Sequence, residues 1–204
     1  MEMVNTLNGW LRRVPAWVIY VIGFGWIGWL FYSALQGWMG PEPINALERA
    51  YGEVALYLVV ATLAITPLRN MLNLNLIKFR RAIGLMCFYF VLAHLLVWVV
   101  LDVGTLDRVW TEIVKRPYVT IGFAGFLLLL PLAFTSNNWA VRKMGPIRWR
   151  KLHKLTYPAA ILAVVHYIWL VRGWPLEPFV YLAIIIGLLA IRMIPRRKPS
   201  PARA

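Results

Sequence analysis

The sequence predicts an all-α, polytopic membrane protein, with six transmembrane helices in one bundle and both termini in the cytoplasm. Of its 204 residues, 61% are hydrophobic and only 15% are charged. A soluble domain has about half apolar and a quarter charged residues. The apolar residues form six long stretches, and most basic residues lie in alternate connections between them. This pattern excludes a disordered chain and disfavours an ordinary soluble enzyme.

Each of the six stretches approaches the roughly 20 residues that a helix needs to cross a bilayer. The first follows Arg12 and Arg13, as in a signal peptide, but it is too long for one and no small-residue cleavage site follows it. We therefore expect it to be retained. The sixth contains Arg192, whose long side chain can reach the membrane surface. The predicted spans are Val14–Leu35, Tyr51–Leu68, Ala82–Leu101, Tyr118–Phe134, Leu155–Val171 and Phe179–Ile194.

The basic residues set the orientation of these spans. Of 22 lysines and arginines, 17 lie at the termini or in the second and fourth connections, and five lie in the other three connections. Because positive residues concentrate on the cytoplasmic side, both termini are placed inside. Topology thus explains most of the net charge of +14 without any nucleic acid, and the lipid membrane is the expected partner. We expect one membrane domain over residues 10–195 and a basic cytoplasmic tail over residues 196–204.

Two of the three histidines lie inside predicted spans, where an ionisable group is a candidate for function. His94 lies 13 residues after Arg81, and His166 lies 12 residues after Lys154. Both spans run outward, so both histidines lie about 18–22 Å above the inner basic residues. Two imidazoles at one depth can ligate one haem iron from both sides. Zinc fits less well, because the single cysteine and the lack of nearby carboxylates leave its tetrahedron incomplete.

The third histidine, His153, lies at the inner end of the fifth span. It precedes His166 by 13 residues, a rise of about 20 Å, which suits a second redox centre below the first. On a regular helix the two would point about 140° apart. Either Pro158 kinks the helix between them or His153 precedes the regular helix. An ordinary interfacial histidine is the alternative.

Two adjacent arginines, Arg80 and Arg81, begin the third span. A symmetric two-haem bundle would need a histidine near Arg80, which lies 14 residues before His94. Arginines beside His153 suit an anionic phosphate better than iron, and flavin mononucleotide (FMN) carries such a phosphate. Alternatively, these arginines only mark the cytoplasmic side of the membrane.

Several motifs resemble the ferric-reductase-like transmembrane family. The third span has Arg81-Ala82-Ile83-Gly84 ten residues before His94, and Leu132-Ala133-Phe134-Thr135-Ser136 precedes the basic fourth connection. The fifth span has Trp149-Arg150-Lys151-Leu152-His153-Lys154-Leu155-Thr156-Tyr157, followed by His166-Tyr167. With six spans and no appended reductase domain, the chain most resembles the MsrQ (YedZ) family, the haem-binding membrane subunits of bacterial periplasmic methionine sulfoxide reductase systems.

This resemblance implies a cytochrome b of the bacterial inner membrane that binds haem b, one or two per chain, and FMN. Its electrons would come from a cytoplasmic flavin reductase or from quinol. They would pass to a periplasmic molybdopterin methionine sulfoxide reductase, which repairs oxidised proteins. The chain would be the electron-transfer subunit and not the catalytic one.

Other functions remain open from the sequence. A ferric reductase or a hydrogenase-type cytochrome b is the nearest alternative. From other classes, the histidines could form the proton relay of a transporter, or the chain could anchor a partner without any cofactor.

Overall fold

The structure is a computed structural model that describes residues 2–193, and every regular element in that range is helical. The predicted all-α class is confirmed. The tail predicted at residues 196–204 lies outside the described residues, as do residues 194 and 195. The α-helices of the described range are α1 Glu2–Arg13, α2 Trp17–Leu35, α3 Pro43–Leu72, α4 Arg80–Leu96, α5 Leu106–Lys115, α6 Pro117–Phe134, α7 Asn138–Met144, α8 Pro146–Leu152, α9 Thr156–Leu170 and α10 Leu176–Met193.

Within residues 2–193, four helical segments are long and apolar enough to cross a membrane. They are α2, α3, α6 and the continuous segment Ile77–Val103, in which a 3-10 turn precedes α4 and a π-helical end follows it. At the predicted fifth and sixth spans stand α9, with 15 residues, and α10, with 18 residues. The chain is thus built from apolar helices as predicted, while six spans and their orientation stay a prediction.

Two helix pairs, α3 with α4 and α6 with α9, have the most extensive packing. The pairs meet where α4 contacts α6 and where α3 contacts α9, and α10 packs against both α3 and α9. Buried apolar side chains fill the contacts, and much of the bundle's stability comes from this packing. Prominent among them are Leu47, Tyr51, Met86 and Phe90 between α2, α3 and α4, and Leu63, Cys87, Val164 and Ile185 between α3, α4, α9 and α10.

Arg192 of α10 satisfies a backbone group that a proline leaves unpaired in α3. Pro67 has no N–H to donate to the carbonyl of Leu63, four residues earlier. In a membrane such a carbonyl needs a partner from elsewhere. Arg192 Nη2 donates to the carbonyls of Leu63, at 2.5 Å, and Thr62, at 3.4 Å. Arg192 therefore turns inward onto α3. The sequence instead suggested that its side chain would extend to the membrane surface.

Two short helices have an exposed apolar face, and neither helix was predicted from the sequence. On each helix, large apolar residues recur every three or four positions and remain exposed. They are Met3, Leu7 and Trp10 on α1, and Leu106, Trp110 and Val114 on α5. Amphipathic helices of this kind lie in the plane of a membrane surface.

Candidate cofactor site

A cavity of about 1460 Å³ lies between α3, α4, α6 and α9. His94 and Tyr118 line its outer end, and Arg80 and His153 line its inner end, where outer and inner refer to the predicted topology. A pocket for one drug-sized ligand has about 300–1,000 Å³, so this cavity has room for a large cofactor and a second group. Small residues leave space in its wall, among them Gly84, Gly125, Ala159, Ala160 and Ala163.

His94 on α4 and His166 on α9 meet at the outer end of this cavity. Their ring centres are 6.3 Å apart, and their ring planes are inclined at 82°. An imidazole nitrogen lies about 2.0 Å from a bound metal ion and about 1.1 Å from its ring centre, so two rings on opposite sides of one ion have centres about 6 Å apart. The histidines therefore fit one iron ligated from both sides, as in a haem with two axial imidazoles.

Each of these rings is oriented by a backbone carbonyl. Nδ1 of His94 lies 2.9 Å from the carbonyl oxygen of Glu48, and Nδ1 of His166 lies 2.7 Å from that of Tyr118. A carbonyl can only accept, so Nδ1 carries the hydrogen, and Nε2 of the neutral ring has a lone pair for a metal. This arrangement fixes both the tautomer and the direction of a metal-binding histidine.

A glycine beside each ring makes this hydrogen bond possible. A β-carbon at Gly52 would lie 3.3 Å from Nδ1 of His94, and one at Gly122 would lie 2.8 Å from Nδ1 of His166. Each glycine comes four residues after the residue whose carbonyl binds the ring, so the two lie on the same helix face. The helix pairs α3–α4 and α6–α9 thus hold their histidines in the same way.

His153 lies at the inner end of the cavity, in a 3-10 turn that precedes α9. Of the two sequence interpretations, the one in which His153 precedes the regular helix is confirmed. The Thr135 hydroxyl lies 2.5 Å from the Pro131 carbonyl and 3.1 Å from Nε2 of His153. If Thr135 donates to that carbonyl, it accepts from Nε2–H, which leaves Nδ1 of His153 for a ligand. The ring stacks on Trp149 with a 3.8 Å centre-to-centre distance.

Arg80 and Arg81 line the same inner end as His153. Arg81 Nη1 donates to Oδ1 of Asn138 at 2.8 Å. Burial, followed by the positive charges of Arg80 and Arg81, lowers the pKa of His153 to about 4, so its imidazole is neutral at pH 7. The structure therefore brings the predicted residues together in two groups along one cavity. One is the outer histidine pair, His94 and His166. The other, which we call the inner cationic group, contains Arg80, Arg81 and the neutral His153.

The sequence profile of the family described as "Ferric reductase like transmembrane component" matches residues 51–164. The chain is similar to the "Protein-methionine-sulfoxide reductase heme-binding subunit MsrQ" of Brucella ovis, Brucella canis and Brucella melitensis biotype 2. Each is 42% identical over 189 residues, which cover 90% of this chain and 86% of the relative. The chain belongs to the MsrQ family. No solved structure matches it.

Membership of the MsrQ family confirms the resemblance predicted from the motifs around the histidines. The chain is therefore a ferric-reductase-like membrane protein. The part that matches the ferric-reductase profile contains His94, His153 and both adjacent arginines, and His166 follows two residues after its end.

Some residues of this MsrQ-family site were not predicted from the sequence. They include the residues whose carbonyls orient the rings, Glu48 and Tyr118, and the glycines beside the rings, Gly52 and Gly122. Oε1 of Glu48 also lies 3.9 Å from Nε2 of His94, which puts a carboxylate at the outer end of the cavity. The only signal in the sequence is a glycine four residues after each carbonyl, and that spacing is common in helices.

Proposed function

We propose that this chain is a membrane cytochrome b that holds one haem b between His94 and His166. The observation that carries the proposal is the imidazole pair with ring centres 6.3 Å apart, each with Nδ1 bonded to a carbonyl. The name of its relatives, heme-binding subunit, supports the same cofactor. Bound haem supplies a one-electron carrier. His94 and His166 would hold it through Nε2, while Glu48 and Tyr118 orient the rings.

The inner cationic group would serve a second cofactor. Arg80 and Arg81 are proposed to contact the phosphate of FMN, because guanidinium groups pair well with phosphate oxygens. His153 would either ligate a second haem or help to hold the inner cofactor. Its position at the cavity wall supports either role.

The two groups support an outward route for electrons across the bacterial inner membrane. A cytoplasmic flavin reductase or quinol would be the donor on the inner side. A periplasmic molybdenum-containing methionine sulfoxide reductase would be the acceptor. The relatives' name, which makes them the heme-binding subunit of a protein-methionine-sulfoxide reductase, supports an acceptor of that substrate class. This chain would then transfer electrons for the repair of oxidised proteins without acting on the sulfoxide itself.

The test is a reduced-minus-oxidised visible spectrum of the purified protein. We expect b-type bands in the wild type and their loss in His94→Ala and in His166→Ala, because each variant removes one axial nitrogen. Trp169→Phe is the matched control, since Trp169 lies three residues from His166 on α9 and is 61% exposed. A colourless wild type, expressed with ample haem, would contradict the proposal and favour a proton-relay transporter.

A visible spectrum detects haem but not electron transfer, so the electron route is tested with the same proteins by the loss of methionine sulfoxide. Proteoliposomes would enclose reduced flavin, with the periplasmic reductase and methionine sulfoxide outside. The wild type should support loss of the sulfoxide, whereas His94→Ala should not. Haem bands without any sulfoxide loss would favour a ferric-reductase or hydrogenase-type cytochrome b.

A further inference from the structure

The inner part of the cavity has two hydroxyl groups, those of Thr62 and Tyr157, that the proposed function does not yet use. Thr62 of α3, Arg80 of α4 and Tyr157 of α9 all line it. Each belongs to a different helix, and each can donate a hydrogen bond. All three line the same cavity, and we call them the inner donor cluster.

Thr62 contributes a buried hydroxyl that lacks a partner. The residue is 8% exposed, and its Oγ1 has no hydrogen-bond partner within residues 2–193. A buried threonine in a helix commonly bonds back to its own helix, and an unpaired buried hydroxyl is costly. Since Thr62 lines the cavity, a ligand there could supply the missing partner.

Tyr157 has its hydroxyl hydrogen available for the same space. Its oxygen accepts a hydrogen bond from Arg192 Nη1 at 3.3 Å, so the phenol can still donate. The Arg192 guanidinium also lies 5.6 Å from the centre of the Tyr157 ring. The hydrogen bond and the positive charge of Arg192 polarise the phenol and strengthen it as a donor.

The surrounding charge is positive and lacks a counter-ion. Arg192 lies close enough to Arg80 for the two charges to repel. In the part of the chain that the structure describes, ion pairs involve the carboxylates of Glu48 and Glu112 alone. Nε of Arg192 is also buried without a partner there. Arg80 lines the cavity and Arg192 does not, so Arg80 is the guanidinium that a ligand can contact and Arg192 adds a second positive charge nearby. This charge favours an anion over a neutral carbonyl group.

We propose that the inner donor cluster binds one oxyanion of the inner cofactor, a phosphate or a carboxylate. Thr62 Oγ1, the Tyr157 hydroxyl and the Arg80 guanidinium would donate to it, and Arg192 would support it from behind. This rests on the proposed function, because it assigns additional residues to the inner cofactor site. FMN offers a phosphate, and a second haem offers a propionate.

The test compares FMN with riboflavin, which lacks the phosphate. The proteins are the haem-loaded wild type and its Thr62→Val and Tyr157→Phe variants, with flavin affinity measured by fluorescence quenching and haem counted per chain. Each variant preserves shape and removes one hydroxyl. A hydrogen bond to a charged group is worth about tenfold or more in affinity. Thr66→Val, one turn along α3, and Tyr181→Phe on α10 are the matched controls.

The results separate the two sources of the anion. If the wild type binds FMN at least about tenfold more tightly than riboflavin and both variants remove the difference, the ligand group is the phosphate. If the wild type holds two haems and both variants hold one, it is the propionate. The proposal is overturned if the wild type shows neither property, or if the variants bind as the wild type does.

The failure of this inference differs from the failure of the proposed function. Haem bands that depend on His94 and His166 should persist in both hydroxyl variants, which also shows that these proteins are folded. A wild type without those bands overturns the proposed function. Discrimination between FMN and riboflavin would still test the inner donor cluster in that protein.

Discussion

Gly122 allows His166 to approach α6 closely, because a β-carbon at this position would lie 2.8 Å from Nδ1 and 2.9 Å from Cε1 of the ring. We expect Gly122→Ala to displace the ring from the Tyr118 carbonyl and to lower haem content several-fold, since the axial nitrogen would lose its orientation. Haem per chain, measured by pyridine haemochrome, is the readout.

Gly125→Ala is the matched control, because its β-carbon would meet Leu162 Cβ at an ordinary 3.6 Å. It should retain the wild-type haem content. A fully loaded Gly122→Ala protein would show that the close approach has no part in binding.

The histidines could be predicted from the sequence and their partners could not. Similar separations from basic residues, 13 for His94 and 12 for His166, indicated that the two histidines share a depth, because helical rise is regular. Their partners are backbone carbonyls, which every residue has, so no residue type marks Glu48 or Tyr118. Only the packing of one helix against another selects these carbonyls.

Among the elements, α3 and α10 are joined where Arg192 donates to the carbonyl that Pro67 leaves unpaired. We expect Arg192→Leu to lower stability by about 1–3 kcal/mol, the cost of an unsatisfied buried group. Pro67→Ala restores an N–H for the Leu63 carbonyl, so Arg192→Leu should cost less in that background. Thermal unfolding of the four proteins of this double-mutant cycle measures the coupling.

Arg69→Leu controls for the loss of a positive charge, since Arg69 is an exposed arginine at the same end of α3. It should unfold within a degree or two of the wild type. Equal costs of Arg192→Leu in the two backgrounds would mean that its contact with α3 does not compensate for Pro67.

Long apolar helices were predictable, because a bilayer demands a minimum length of apolar residues. The short helices α1 and α5 were not predicted. Each has polar residues on one face, and these residues lower the mean hydropathy of the segment. Likewise, the 3-10 turn at His153 depends on how α8 and α9 join. Neither residue type nor periodicity identifies such a join.

For the whole molecule, the basic residues predict which connections face the cytoplasm. Cys87 is buried and is the chain's single cysteine, so an introduced cysteine reports its own side of the membrane. We expect Thr105→Cys to react with an impermeant maleimide in spheroplasts. Asn5→Cys and Arg142→Cys should react only after lysis, because Asn5 lies at the N-terminus and Arg142 in the basic fourth connection, both predicted to face the cytoplasm. The reverse pattern would contradict the predicted topology.

The family and the orientation of the bundle could be predicted from the sequence, but its continuous cavity could not. The ferric-reductase-like motifs indicated the family, and alternating charge indicated an orientation. The continuity of the cavity from His94 to Arg80 could not be predicted, because it depends on small residues of four helices facing one space.

The division of the bundle into two pairs bears on how the protein matures in the cell. His94 belongs to the α3–α4 pair and His166 to the α6–α9 pair, so a shared iron would add a connection between halves that also meet where α4 packs on α6, α3 packs on α9 and α10 packs on both. Insertion of the helices into the membrane would then leave the protein without its cofactor. The cavity between the two helix pairs would be unfilled, and membrane proteases could attack the protein there. Haem delivery would complete maturation, and the abundance of the protein would follow the haem supply of the bacterium.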